Sequence, residues 1–466
     1  MRADLIHTLT TQLPFAPNPG QEQLIARWAS FLVDRNPRRC FILRGYAGTG
    51  KTALLSALVR ALSGLQVPCV LLSPTGRAAR VMSRYSGMPA FTIHRAIYRR
   101  QRDGHFALSP NGLKRGVFIV DEAGMLSAER DNTLFGSGSL LDDLVRHVYS
   151  VPHCYLILVG DDAQLPPIGQ TSSLALSADF LSGYGLTVYE HVLTEVARQA
   201  LDSIILRNAT SVRLSTSIAH TLNHLLFAPD FVRLAPSEVS SAIERSYASV
   251  GMAETIILTR SNFRANIYNA GVRAQILWKE ELLSAGDRLM VSRNNYFSPS
   301  GESEDEAFLA NGEMLEVRRL RGERELYGFH FVDALLSGID RPFEIERTLW
   351  LDTLSTDRPE DAHAMLNTLF SRIALDYPEI HNRAELVKQV TASPYYNALC
   401  IRYAYAVTCH KAQGGQWKHV YIDVPRSAPD SATTWSDTEQ QRWLYTAITR
   451  ATERVYWVEP EKNERT

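Results

Sequence analysis

Lysine is scarce in this chain. Seven of the 49 Lys and Arg residues are lysine, at positions 51, 114, 279, 388, 411, 418 and 462. In so arginine-rich a sequence, a lysine at a motif position is a poor candidate for accident. Positive charge in excess is missing as well. The net charge of −1 excludes a globally basic nucleic-acid binder, so any such partner must be held in a local groove. No apolar run approaches the length of a membrane span. The N-terminal "MRADLIHTLTTQL" alternates polar and apolar residues without a signal-peptide core, so the expectation is a cytoplasmic protein with no membrane partner. The five cysteines (Cys40, Cys69, Cys154, Cys400, Cys409) lie far apart with no CxxC pair. That spacing fits reduced, mostly buried thiols better than a disulfide framework or a zinc or iron–sulfur site. Low-complexity tracts and short fixed-period repeats are also absent. What remains is the composition of a soluble globular enzyme, 45% hydrophobic and 21% charged. At 466 residues it is too long for a single core.

Four β-rich runs, "CFILRG", "PCVLLSP", "GVFIVDE" and "CYLILVGD", fall between residues 40 and 200, each followed by a turn or a helix start. Continuous apolar strands suit a parallel sheet covered on both faces. The pattern returns with "ETIILT", "RYAYAVT", "HVYIDV" and "RVYWVEP", which predicts two α/β sheets in tandem. Residues 286–350 differ. "GDRLMVSRNNYF", "ANGEMLEVRRL" and "YGFHFVDALL" read as short strands with an Asn311-Gly312 turn, as in a small antiparallel barrel. Residues 358–392 are helical in pattern and carry no chemical motif.

Residues 45–52, "GYAGTGKT", satisfy GxxxxGK[ST] between the strand "CFILRG" and the helical "TALLSALVRAL". Glycines there let backbone N–H groups wrap phosphates, and the helix N-terminus adds its positive end. The whole loop (Gly45, Tyr46, Ala47, Gly48, Thr49, Gly50, Lys51, Thr52) is therefore the candidate nucleotide cradle. Lys51 should reach the β/γ-phosphates and the Thr52 hydroxyl should ligate Mg²⁺. "GVFIVDEAGML" ends a strand in Asp121-Glu122, one carboxylate for the magnesium and the next for the attacking water. A lone acidic pair after a strand is weak evidence, but its order behind the phosphate loop predicts nucleotide hydrolysis.

What that energy drives is suggested by further segments in order. "LILVGDDAQLPPIG" at 156–169 resembles motif III of superfamily 1 helicases, whose glutamine, here Gln164, senses the γ-phosphate. "PNPGQEQLIARW" resembles the Q motif, with Gln21 as adenine reader and Gln23 as the alternative register. "LLSPTGRAARVM" resembles motif Ia, and "FTIHRAIY" the segment after it. "LTEVARQ" ends in Arg198 as motif IV does, "YAVTCHKAQGGQWKHVYI" resembles motif V, and "LYTAITRATERVYWV" resembles motif VI with Arg450. The wording is similar to the RecD-like and Dda-like branch, superfamily 1B. That resemblance implies ATP as the nucleotide and single-stranded or tailed duplex DNA as the partner. It implies a monomer moving 5′ to 3′, with accessory replication or repair proteins. Arg198 and Arg450 would face the phosphates from opposite sides of a cleft. Thr75, Thr92 and His94 would grip the strand on one domain, and Thr408, His410 and Lys411 on the other.

The implied fold is two tandem RecA-like domains with a β-hairpin insertion in the first and an SH3-like barrel plus helices in the second. The first domain would run over 1–200, with the hairpin insertion at 95–115. The second would run over 201–285 and 397–466, interrupted by the barrel at 286–396 with its helical insertion at 350–393. "YRRQRDGHFAL" at 98–108 has an Asp103-Gly104 turn. It reads equally as a solvated hairpin or as a strand-separating pin with Phe106 or His105 near its tip. Cys409-His410 does not read as a metal site, because adjacent side chains diverge and no second ligand pair follows. Two alternatives stay open: a RecD-type motor subunit of a recombination complex, and an ATP-dependent protein remodeller.

Overall fold

The computed structural model describes residues 2–101, 106–129, 136–196, 203–295, 308–339, 343–356, 358–424 and 436–459. In chain order the first strands are β1 (Arg39–Gly45), β2 (Cys69–Ser73) and β3 (Ala90–Thr92). A hairpin of β4 (Tyr98–Arg100) and β5 (Phe106–Leu108) follows, then β6 (Gly116–Val120), β7 (Cys154–Gly160) and β8 (Thr187–Leu193). Hairpin apart, these form one sheet in the order β3-β2-β6-β7-β1-β8, parallel throughout.

The apolar runs are explained by burial on both faces. Along β1, Phe41 and Leu43 enter one core cluster while Cys40 and Ile42 enter another on the opposite face. A strand clothed on both sides cannot alternate with polar residues. Each large apolar side chain taken from water contributes roughly 1.5–3 kcal/mol.

The chain continues through β9 (Phe231–Leu234), β10 (Thr255–Thr259), β11 (Arg288–Val291), β12 (Met314–Leu326), β13 (Phe329–Gly338) and β14 (Glu344–Trp350). It ends with β15 (Leu399–Tyr403), β16 (Ala406–Thr408), β17 (Trp417–Asp423) and β18 (Ala451–Val458). A second sheet runs β16-β10-β17-β18-β9, and β11 to β15 close a barrel. The second sheet is parallel too.

The two-sheet, hairpin and barrel architecture expected from the sequence is therefore what forms. One detail needs correction. The barrel is not wholly antiparallel, since β14 and β15 pair in parallel. Parallel neighbours need a long crossover rather than a tight turn. Here the connection holds the helices Pro359–Ala374 and Arg383–Ala392. Those helices pack on Phe331 and Trp350 in a core cluster of their own. Among the described residues no helix is long and apolar enough to cross a membrane.

Candidate active site

Because β6, β7 and β1 are neighbours in the sheet, the loops leaving their C-terminal ends gather at one place. From β1 comes the loop 45–52. Gly48 and Gly50 have φ of 78° and 85°, a left-handed backbone that a side chain would strain. Gly50 is also crowded, since a Cβ there would lie 2.8 Å from the Gln21 amide nitrogen. The helix Lys51–Gly64 starts directly after it. Lys51 Nζ donates to the carbonyls of Gly45 and Tyr46, the latter at 3.0 Å. The Thr49 hydroxyl donates to Tyr46 O (2.8 Å), and Thr52 is exposed in the first helical turn.

Gln21 lies at the start of the helix Pro19–Val33. Its side-chain oxygen accepts from the Asn18 N–H (3.1 Å), and its amide donates to Thr49 O (3.0 Å). The residue is buried and braces the phosphate loop from behind.

From β6 come Asp121 and Glu122, both half-buried. Asp121 Oδ1 accepts from the Glu122 N–H (2.9 Å) and Oδ2 from the Tyr85 hydroxyl (2.8 Å). Glu122 has φ of 55°, a conformation uncommon for a residue with a side chain and costing on the order of 1–3 kcal/mol. Burial raises both carboxyl pKa values. For Asp121 the Tyr85 hydroxyl, the Glu122 N–H and Lys51 pull the other way. For Glu122 Arg450 and Lys51 do so. The structure thus brings Lys51, Asp121, Glu122 and Arg450 within one electrostatic neighbourhood.

From β7 comes Asp161, then Gln164, which is buried. Asp161 Oδ2 accepts from the hydroxyl of Tyr445 (2.7 Å), and that same oxygen of Tyr445 accepts from the Ala47 N–H (2.8 Å). Tyr445 lies on the helix Asp437–Ile448, in the second half of the chain. One phenol therefore joins the phosphate loop, the loop after β7 and the opposite wall. Burial and Asp161 push its pKa well above the ordinary tyrosine value, so it stays a neutral donor.

Leu165 is gripped at both backbone groups. Its N–H donates to Thr446 Oγ1 (2.9 Å) and its carbonyl accepts from Gln413 Nε2 (2.7 Å). Arg450 is buried. It donates to Thr446 O (3.1 Å), Gly415 O (3.2 Å) and Thr449 Oγ1 (3.2 Å). The Arg213 guanidinium lies 3.7 Å from the centroid of the Tyr46 ring, so a cation from a helix packed into the second sheet's core rests on the phosphate loop. Arg198 lies outside the described residues.

Tyr445, Asp161, Arg213 and Tyr85 were not singled out from sequence. Tyr445 and Asp161 stood inside quoted motifs. Arg213 and Tyr85 carried no local sign of their role.

Of the residues assigned to DNA, Thr75 follows β2, Thr92 ends β3 and Thr408 ends β16. Thr75 caps the helix Gly76–Ser86, its hydroxyl accepting from the Ala78 N–H (3.2 Å). Thr92 accepts likewise from Arg95 N–H (3.3 Å). Burial lowers the pKa of His94 to about 4. Thr408 ends β16 opposite Thr259 of β10. Burial, then Lys411, lowers the pKa of His410. Lys411 Nζ donates to Asn311 Oδ1 (2.7 Å), and burial with Arg402 nearby brings its pKa down to about 8.

Phe106 begins β5, at the end of the hairpin away from its Tyr98–Leu108 pair. It is half-buried against the first sheet's core, pairs with Arg100, and its carbonyl accepts from the Gly136 N–H (2.9 Å). His105 and the Asp103-Gly104 turn lie outside the described residues.

The donor set can be tested against magnesium. A threonine hydroxyl, a carboxylate and phosphate oxygens are the hard ligands that this cation takes. Thr52 is open to solvent and Asp121 is already oriented by two donors, so the residues fit. Among the described residues no cluster of three or more His, Cys, Asp or Glu could hold a metal on its own.

Comparison with known proteins agrees. Residues 17–220 match a family described as an AAA domain, and 403–458 match the UvrD-like helicase C-terminal domain. The ATP-dependent RecD2 DNA helicase of Deinococcus radiodurans is 31% identical over 217 residues, covering 44% of this chain and 27% of that protein. These matches are of the kind expected from the resemblance to superfamily 1B helicases.

The ATP-dependent DNA helicase dda of Enterobacteria phage T4 is 31% identical over 178 residues, 37% of either chain. An uncharacterized protein of Acanthamoeba polyphaga mimivirus is 23% identical and covers 93% of this chain and 98% of its own length. The chain thus spans nearly all of the viral relative but well under half of RecD2 or Dda. Among solved structures, Pif1 helicase from Bacteroides with ADP-AlF3 and single-stranded DNA aligns over 96% of this chain and 95% of its own. It is 16% identical, with a TM-score of 0.48.

Proposed function

We propose that the chain is an ATP-driven motor that translocates 5′ to 3′ on single-stranded DNA and unwinds tailed duplexes. The observation carrying this reading is the cleft between the sheets. Its near wall is a phosphate loop, which helices packed on the second sheet reach through Tyr445 and Arg213, while Arg450 lies within electrostatic reach of Glu122. Hydrolysis that needs both walls requires the cleft to close, and product release lets it open. A strand lying across both sheets is then gripped and released in alternation. The 5′ to 3′ direction rests on the motif resemblance.

In this reading Lys51 turns from the loop carbonyls to the β/γ-phosphates. Glu122, with its raised pKa, accepts the proton of the attacking water. Mg²⁺, held by Thr52 and Asp121, would neutralise phosphate charge when bound. Gln164 orients toward the γ-phosphate. Arg450, joined by Arg198, stabilises charge on the transferring group, a contribution of roughly 10³–10⁵ in rate. Gln21 supports the loop and reads the base.

On the DNA side Thr75, Thr92, His94, Thr408, His410 and Lys411 supply hydroxyls, neutral imidazoles and one cation that hold phosphates without reading sequence. One chain supplies both walls, so the working unit is taken as a monomer.

The test is strand displacement with ATP and Mg²⁺ on 5′-tailed, 3′-tailed and blunt duplexes. Unwinding of the 5′-tailed duplex alone, lost in Lys51→Ala, is expected. DNA-stimulated hydrolysis without displacement on any duplex would sink the unwinding claim and leave a translocase.

A further inference from the structure

The helix Gly76–Ser86 touches every part of the proposed motor. At its N-terminal end Thr75 and Ala78 pack against Gly414, where an added Cβ would lie 2.7 Å from the Ala78 methyl and 3.1 Å from Thr75 Oγ1. The Arg77 guanidinium lies 3.8 Å from the Trp417 ring centroid and donates to Gln416 O (2.9 Å). Arg80 donates to Ile339 O, just beyond β13 of the barrel (3.1 Å). At the other end the Ser56 hydroxyl, on the helix that follows the phosphate loop, donates to Tyr85 O (2.8 Å). The Tyr85 hydroxyl donates to Asp121 Oδ2. A helix of this length spans about 15 Å as one stiff rod.

We propose that Tyr85 is a positioning residue for the metal-binding carboxylate of Asp121, and that its helix carries movement of the second sheet and barrel to that carboxylate. The proposal rests on the ATPase reading above. The motif resemblance covers the helix's first turns and says nothing of Tyr85. The physical argument is geometric. A carboxylate presents one oxygen to a cation well only when its rotation is held, and outer hydrogen-bond partners do this. The Glu122 N–H is fixed on the same strand end, whereas the Tyr85 hydroxyl rides on an element gripped by Arg77 and Arg80 from across the cleft. Opening the cleft pulls the rod and slackens Asp121. Closure, favoured by a bound strand, restores it.

The test uses the full chain and Tyr85→Phe, which removes one oxygen and keeps the ring. Equilibrium binding of a fluorescent ADP analogue is titrated with Mg²⁺, with and without oligo(dT). Expected is a half-saturating Mg²⁺ concentration raised about tenfold in Y85F, with metal-free nucleotide affinity, oligo(dT) affinity and unfolding temperature unchanged. In the wild type oligo(dT) lowers the half-saturating Mg²⁺, and either Y85F or Arg77→Ala abolishes that shift, the double variant adding nothing further. Unchanged Mg²⁺ dependence in Y85F overturns the proposal. So does an equal loss of nucleotide binding with and without Mg²⁺, which marks a merely structural tyrosine. The ATPase reading fails separately, if wild-type hydrolysis is absent or survives Lys51→Ala.

Discussion

The two walls of the cleft are built in opposite ways. The near wall is short-range. Eight consecutive residues form the loop 45–52, two glycines with positive φ set its path, and Lys51 is satisfied by carbonyls five and six residues away. The far wall is assembled from Arg213, Gln413, Tyr445, Thr446 and Arg450. These are scattered over more than two hundred positions and meet only because parallel crossovers bring β10, β16, β17 and β18 together. The near wall takes its path from its own backbone and from β1. The far wall is in place only when the whole chain has folded and the cleft is shut. A motor gains from that asymmetry, since nucleotide can be captured by one wall and committed to hydrolysis by the other.

The contrast breaks most severely at its cations. Arg450→Ala should lower the DNA-stimulated hydrolysis rate by on the order of 10³-fold while an ADP analogue still binds within about threefold of the wild type, since the near wall is intact. Lys51→Ala should weaken analogue binding itself. Equilibrium binding beside steady-state hydrolysis separates the two, and equal loss of binding in both variants would erase the division of labour.

A smaller effect is expected at the bridge. Tyr445→Phe removes the hydroxyl shared by Ala47 and Asp161. A polar group left without its partner in a buried site costs about 1–3 kcal/mol, or roughly fivefold to 150-fold in hydrolysis if that energy sustains closure. Stopped-flow closure signals from a dye pair across the cleft should slow in step. A variant that hydrolyses and closes like the wild type would show the bridge to be passive.

The smallest effect sharpens the comparison by pH. Burial and Arg402 lower Lys411 to a pKa of about 8, so in the free protein it loses its proton as pH rises through that value. A phosphate at Nζ favours the ammonium, so DNA binding above pH 8 takes up a proton. Affinity should then fall by at most about tenfold per pH unit above 8. Fluorescence anisotropy with oligo(dT) at constant ionic strength measures this, and Lys411→Arg should flatten the profile. A flat wild-type profile between pH 7.5 and 9.5 would remove Lys411 from the DNA site.

Which parts were legible beforehand follows the same division. Strands buried on both faces announced themselves as apolar runs, as β1, β6 and β7 did. The alternating edge strand β8 ("TVYEHVL") and the three-residue β3 did not, because their burial is partial or brief. The partial burial of the Phe106 ring was hidden for a related reason. A hairpin turn is visible in Asp103-Gly104, but which face of the hairpin meets the core is not a local property.

The sequence by itself determined the phosphate loop and the Asp121-Glu122 pair, whose geometry depends on backbone conformation within a few residues. It also determined the order of the helicase motifs. Only the tertiary structure decided that Tyr445 joins Ala47 to Asp161, that Arg213 stacks on Tyr46, and that Tyr85 holds Asp121. Those contacts join segments 36 to 398 residues apart. Whether such side chains meet depends on sheet order and helix packing, which residue spacing along the chain does not encode.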